Sequence, residues 1–151
     1  MFRLTKNTDY ALMVIRFMSA QKGGVGAGVG DGGVANTKMM AETHRIPLEL
    51  LAKILQMLSK SGILISKGGP KGGYLLAREA NAITLAEVIE AVEGPIHIIR
   101  CEDEDCAQIA CCTVREPLTR IEGHIVAYLA STTVAQLCQE TFQPEAVTQG
   151  V

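Results

Sequence analysis

The chain predicts a mainly α-helical fold with a small β-wing: a winged helix-turn-helix followed by a long C-terminal dimerisation helix. Three observations predict it. Two short helical patterns meet at a tight turn, Arg45-Ile46. A hairpin rich in Gly and Lys follows them. Near the C-terminus, apolar residues recur at alternating spacings of four and three. The 151 residues suffice for one core, and 48% of them are hydrophobic.

Each element has a local reason. Thr8 or Asp9 is placed to cap a helix over 10–21. That segment is apolar nearly all round, which predicts burial on several sides. Residues 22–36 hold seven glycines and read as a flexible insert. Gly28, Gly30 and Gly33 fit G-x-G-x-x-G, but no strand precedes them and no βαβ pattern follows, so they carry no nucleotide site. A short helix covers 37–44. Pro47 then opens a second helix, where its missing N–H costs little. That helix runs to about 61 and turns Leu51, Ile54, Leu55 and Leu58 inward.

Gly62 ends the second helix. Strands over 63–66 and 74–76 flank Lys67-Gly-Gly-Pro-Lys-Gly-Gly73, the form of a wing. Thr84 and Glu87 make a capping box for a helix to about 93, and Gly94-Pro95 stops it. Thr113 and Glu116 form a second box, opening a helix to about 131 with Pro117 in its first turn. On it Val114, Leu118, Ile121, Ile125 and Tyr128 make a coiled-coil-like seam. Such a seam packs on a partner's helix or on its own chain. Residues 133–141 form a last short helix.

The charge is divided unequally. Residues 1–80 carry eleven Lys/Arg against five Asp/Glu, and residues 81–151 carry three against eleven; the whole chain is at −2. A basic first half fits contact with a polyanion. With no Trp and 4% aromatic residues, a base-stacking platform for single strands is excluded. The run over 10–18 is broken by Arg16 and is too short to span a bilayer. A cytoplasmic, reducing compartment is expected, where close thiols read as metal or redox sites before disulfides.

Those thiols lie in one loop, Cys101-Glu-Asp-Glu-Asp-Cys106-Ala-Gln-Ile-Ala-Cys111-Cys112. Cys101, Cys106 and Cys112 can wrap one edge of an iron–sulfur cluster, held mainly by thiolates. The second ligand pair of a structural zinc finger is missing. Thiol redox sensing without metal is the alternative. Cys111 adjoins Cys112 and faces elsewhere, and Cys138 reads as a buried core residue. Asp9 is a candidate fourth ligand supplied by a partner subunit, or simply a helix cap. His44, His97 and His124 read as structural or exposed.

These residues resemble a known family, the IscR/NsrR-type iron–sulfur winged-helix transcriptional regulators. The resemblance rests on Arg3-Leu-Thr-Lys, Thr8-Asp9-Tyr10-Ala11, Ile46-Pro-Leu-Glu-Leu-Leu-Ala-Lys, Gly62-Ile-Leu-Ile-Ser, Gly69-Pro-Lys-Gly-Gly-Tyr-Leu-Leu-Ala, Val88-Ile-Glu-Ala-Val-Glu-Gly-Pro and the cysteine loop. It covers nearly all of the chain except the Gly-rich insert and the tail. Within the family the loop looks most like that of regulators of the SUF cluster-assembly operon. The resemblance implies a [2Fe–2S] or [4Fe–4S] cluster. Where IscR-type proteins carry a His three residues after the last cysteine, this chain has Arg115; Asp9 stands where NsrR-like proteins place a carboxylate ligand.

The expected organisation is a DNA-binding region over 1–80, a cluster loop with dimerisation helices over 81–141, and a flexible tail over 142–151. The expected partners are a double-stranded DNA operator and a second copy of the chain, with no membrane and no small-molecule substrate. Glu49, Lys53 and Gln56 are the candidate base-reading residues. Lys67 and Lys71 are the candidates for phosphate or minor-groove contact. The chain lacks a cofactor fingerprint, a recognisable nucleophile–base motif and a second cluster loop, so no enzyme is expected. The expected function is a dimeric regulator sensing cluster or redox status. A metal-free thiol-sensing repressor and a nitric-oxide-sensing repressor of the same family are the alternatives.

Overall fold

The computed structural model describes residues 3–21, 29–30, 33–99 and 106–139. Helix α1 (Lys6–Gln21) starts four residues before the expected position. Thr8 is therefore not a cap; it is a fully buried residue inside the first turn. The capping group comes from a distant element. The Glu93 carboxylate accepts from the Thr5 amide at 2.9 Å, from the Thr5 hydroxyl at 3.0 Å and from the Thr8 hydroxyl. A carboxylate at a helix N-terminus satisfies otherwise unpaired donors and complements the helix dipole. The sequence alone could not show it, because 85 residues separate Thr8 from Glu93. Burial on α1 is confined mainly to Ala11, Val14, Ile15 and Met18, while Met13 is 40% exposed.

Strands β1 (Val29–Gly30) and β2 (Val34–Ala35) lie in the segment expected to be loop throughout. Asn36 then caps α2 (Thr37–His44), accepting from the Lys38 and Met39 amides. Arg45 turns the chain with φ 54°, and the Ile46 amide donates back to Ala41 at 2.9 Å. Helix α3 (Leu48–Lys60) buries Leu51, Ile54, Leu55 and Leu58, the expected stripe. Gly62, at φ 75°, lets the chain leave α3 and enter the wing.

The wing is β3 (Leu64–Lys67) paired antiparallel with β4 (Gly73–Leu76), from Leu64 opposite Leu76 to Lys67 opposite Gly73. Ala35 pairs with Tyr74, giving a four-stranded sheet in the order β1-β2-β4-β3. Gly73 is required there: a Cβ would lie 2.1 Å from the Ala35 carbonyl oxygen.

Helix α4 (Leu85–Glu93) has the expected Thr84–Glu87 capping box. Helix α5 (Arg115–Ser131) lacks the box expected at Thr113 and Glu116. Its N-cap is Val114, so Pro117 falls at the third helical position and has no N–H to cap. Glu116 instead pairs with Arg120 one turn on. Helix α6 (Val134–Leu137) is shorter than expected and begins with a Thr133–Gln136 capping box. Residues 140–151 lie outside the described residues, including the expected tail.

Two apolar clusters join these parts. The larger gathers α1, α2, α3, the wing and Val134 of α6. The smaller contains Ala86, Ile89 and Ile96, with Leu4, Ile98, Val126 and Leu129 packed against it. It is the junction between α4 and α5, and so between the helix-turn-helix body and the C-terminal helix.

Candidate DNA-binding face and thiol loop

The inward stripe of α3 fixes what its other face presents. With Leu51, Ile54, Leu55 and Leu58 in the core, Glu49, Lys53 and Gln56 are exposed. Their spacings of four and three place them along one side of the helix. Lys67 closes β3, Lys71 lies in the wing turn, and both are exposed.

Between these elements opens a cleft of about 400 Å³. Lys38 of α2, Leu48 at the start of α3, and Ser66, Lys67 and Tyr74 of the wing line it. Cations therefore stand on both walls, flanked by a hydroxyl and a phenol. Such a lining suits a phosphodiester backbone. Sequence reasoning missed Lys38 and Leu48. The Asn-Thr-Lys run before α2 was a usable signal for Lys38. Leu48 sits three residues before Leu51, so periodicity counts it as core; only its place in the first turn leaves it 48% exposed.

The thiols are less assembled. Cys101 lies outside the described residues. Residues 106–111 form tight turns, with the Ile109 amide donating to Cys106 and the Cys111 amide to Gln108, both at 3.0 Å. Cys106 and Cys111 are exposed, Cys112 is half-buried, and none of them is in a disulfide. The Cys111 Sγ lies 3.4 Å from the Gln108 carbonyl oxygen. Cys138 is half-buried against the main core, with Sγ 3.8 Å from the Ser19 hydroxyl.

Asp9 is exposed in the first turn of α1. Among the described residues, no three His, Cys, Asp or Glu side chains converge closely enough to hold a metal. Asp9 is thus not gathered with Cys106 and Cys112 within one chain. His97 and His124 are exposed. The His44 Nε2 is buried without a hydrogen-bond partner, and the ring meets Phe17 edge-on with centroids 5.1 Å apart. Burial holds the His44 imidazole below its ordinary pKa.

The seam of α5 faces outward. Val114 is 57% exposed and Ile121 51%, with Leu118 and Tyr128 also exposed. Own-chain packing of α5 uses a different face, Val126 and Leu129. No helix among the described residues is long and apolar enough to cross a membrane.

A helix-turn-helix with a polar outer face, set beside a lysine-bearing wing, defines a winged-helix DNA-binding transcriptional regulator. The chain belongs to the Rrf2 family: that family's model, described as an iron-dependent transcriptional regulator, matches residues 4–140. Its members are regulators and not enzymes. The fold is similar to that of CymR, the global cysteine regulator of B. subtilis, with 26% identity and a TM-score of 0.68 over 93% of this chain and 99% of that one. A candidate transcriptional regulator from Listeria innocua is 26% identical, with a TM-score of 0.71 over 99% of this chain and 94% of that one. IscR of T. potens shares the fold at 20% identity and a TM-score of 0.63, covering 90% of this chain and 85% of that one.

Proposed function

We propose that this regulator is a cytoplasmic homodimer whose operator occupancy is set by the chemical state of Cys101, Cys106 and Cys112. The observation that carries the reading is the position of Cys106 and Cys112: free thiols on the turns that lead directly into α5, whose apolar seam is exposed. Pairing two copies along Val114, Leu118, Ile121 and Tyr128 brings two reading heads into two-fold symmetry. They then address successive major grooves about one helical turn apart. Glu49 accepts from a cytosine amino group, Gln56 pairs with adenine, and Lys53 reaches the same groove. Lys67 and Lys71, with Lys38, hold the backbone.

The donor set would suit an iron–sulfur cluster: the free thiols of Cys106, exposed, and Cys112, half-buried, together with Cys101 and with Asp9 of a second copy as a carboxylate ligand. The cluster, when bound, supplies a labile redox-active group. The chain's own residues do the rest. The loop thiols hold or release it, α5 carries their rearrangement to the seam, and α4 carries it to the reading head. A change of about 3 kcal/mol between two arrangements alters occupancy more than a hundredfold. The loop's resemblance to SUF-operon regulators points to cluster-assembly genes as targets.

A metal-free thiol switch is the second reading. The exposure of both Cys106 and Cys111 on one turn favours it. One experiment separates the two. Anaerobically purified protein with visible iron–sulfur absorption, stoichiometric iron and sulfide, and operator affinity that changes on cluster loss supports the first. Colourless protein whose affinity responds to thiol oxidation supports the second. An Asp9→Ala variant should shift the visible spectrum or shorten the cluster's lifetime; an unchanged spectrum removes Asp9 from the ligand set.

A further inference from the structure

We infer that Glu122 is a positioning residue for the thiol loop, fixing the backbone that enters the loop to the middle of α5. Its Oε2 accepts from two consecutive amides, Ile98 at 2.5 Å and Ile99 at 2.9 Å. One carboxylate oxygen thus gathers adjacent backbone donors, a charge-assisted arrangement stronger than neutral pairing. The same stretch is held by packing. Ile96 is buried in the α4–α5 cluster, and Ile98 packs against it with Val126 and Leu129. The amides of Ile99 and Ile98 hold the Glu122 carboxyl below its ordinary pKa, against a small opposing effect of burial; the nearby His97 adds to the lowering.

The geometry puts both described ends of the loop on α5. The entry stem is tied at Glu122. The exit stem, past Cys106 and Cys112, becomes the first turn of α5 at Arg115. Seven residues separate the two attachments, about 10 Å along the helix. Cys101 follows Ile99 by two residues. A rearrangement among the thiols therefore pulls on two points of one rigid helix, and the seam residues Leu118 and Ile121 lie between them. Without the Glu122 attachment the entry stem would be held by the packing of Ile96 and Ile98 alone, and the coupling would weaken while the thiols remained.

This inference rests on the proposed sensor reading, and its test keeps the two apart. The full-length reduced protein is compared with Glu122→Gln and Glu122→Ala. Amide exchange at Ile98 and Ile99 should quicken about fivefold in the alanine variant, while core amides of α1 and α3 stay as in the wild type. Alkylation of Cys106 and Cys112 by iodoacetamide should quicken with it. The change in operator affinity on thiol oxidation should shrink, with reduced-state affinity unaltered. Glu122→Gln, which keeps the size and one carbonyl acceptor, should fall between; it carries the comparison if the alanine variant folds poorly. Unchanged exchange at Ile98 and Ile99, or unchanged thiol reactivity and coupling, overturns the role of Glu122. Wild-type affinity that ignores thiol state refutes the sensor reading instead, and the exchange measurement still judges the attachment.

Discussion

Single side chains on this molecule divide into those that read a partner and those that hold the reader. In the proposed complex Lys67 and Lys71 belong to the first kind. Each contacts phosphate in the proposed complex, so replacing either with Ala should weaken binding to all DNA sequences and lower the salt slope by about one unit. Glu49→Ala should behave differently, relaxing base preference at one position with little change in slope. Equilibrium titrations at several salt concentrations distinguish the two. Glu93 and His44 belong to the second kind. Burial tends to raise the Glu93 pKa, yet hydrogen bonds from Thr8 and Thr5 leave it below its ordinary value. A depressed carboxylate contributes stability that is present above the unfolded value, about 4.3, and is lost as pH falls through the folded value. His44 is also depressed, so its contribution is present above about 6.5 and is lost as acid charges the half-buried ring. The melting temperature should therefore fall in two stages on acidification. His44→Leu should remove the upper stage, and Glu93→Gln should lower stability at neutral pH by about 1 kcal/mol, discounted for exposure.

Among the elements, the wing shows best how backbone contact dictates sequence. The Ala35 carbonyl approaches Gly73 so closely that no Cβ fits between them. Gly73→Ala should cost about 2 kcal/mol or more, because the obstacle is backbone and cannot rotate away. It should also weaken DNA binding by displacing Lys67, paired opposite Gly73. Gly68→Ala meets nothing within 4 Å and should be near neutral. Chemical denaturation of the two variants checks the contrast. The same wing marks the limit of what the sequence makes legible. α2, α3, β3, β4 and α4 were readable because periodicity, Gly62, Pro47 and the Thr84 box are local signals. β1 and β2 were not, since two-residue strands form only by pairing, β1 on β2 and β2 on β4, and the second pairing is a tertiary event. The start of α1 was misplaced for the same reason, its cap being Glu93 from another helix. The missing box on α5 follows from a one-residue shift that puts Pro117 where a donor was needed.

At the scale of the whole molecule, the exposed side of α5 is the apolar surface that own-chain packing leaves uncovered. The spacing of Val114, Leu118, Ile121, Ile125 and Tyr128 was legible, but not what they face; own-chain packing and partner packing share one pattern. The fold separates them. Val126 and Leu129 serve α4, while Val114, Leu118, Ile121 and Tyr128 are exposed, Ile121 at 51%, and Ile125 is half-buried at the edge between the two faces. The proposed thiol site is a set of residue types in the sequence and not a geometry, because a loop rich in Asp, Glu and Cys has no periodic pattern to place it. The seam yields the sharper test. In a two-fold dimer Ile121 meets its counterpart's helix, so Ile121→Asp places an uncompensated carboxylate on each side of the contact. Burying such a charge costs about 3 kcal/mol or more, which weakens association more than a hundredfold. Sedimentation should show a monomer at concentrations where the wild type is dimeric. Circular dichroism should stay unchanged, since Ile121 supports no packing within its own chain's two clusters. Binding to a palindromic operator should then fall far more than binding to a half-site, because each head keeps its α3 and wing but loses the partner that makes the second contact effectively intramolecular.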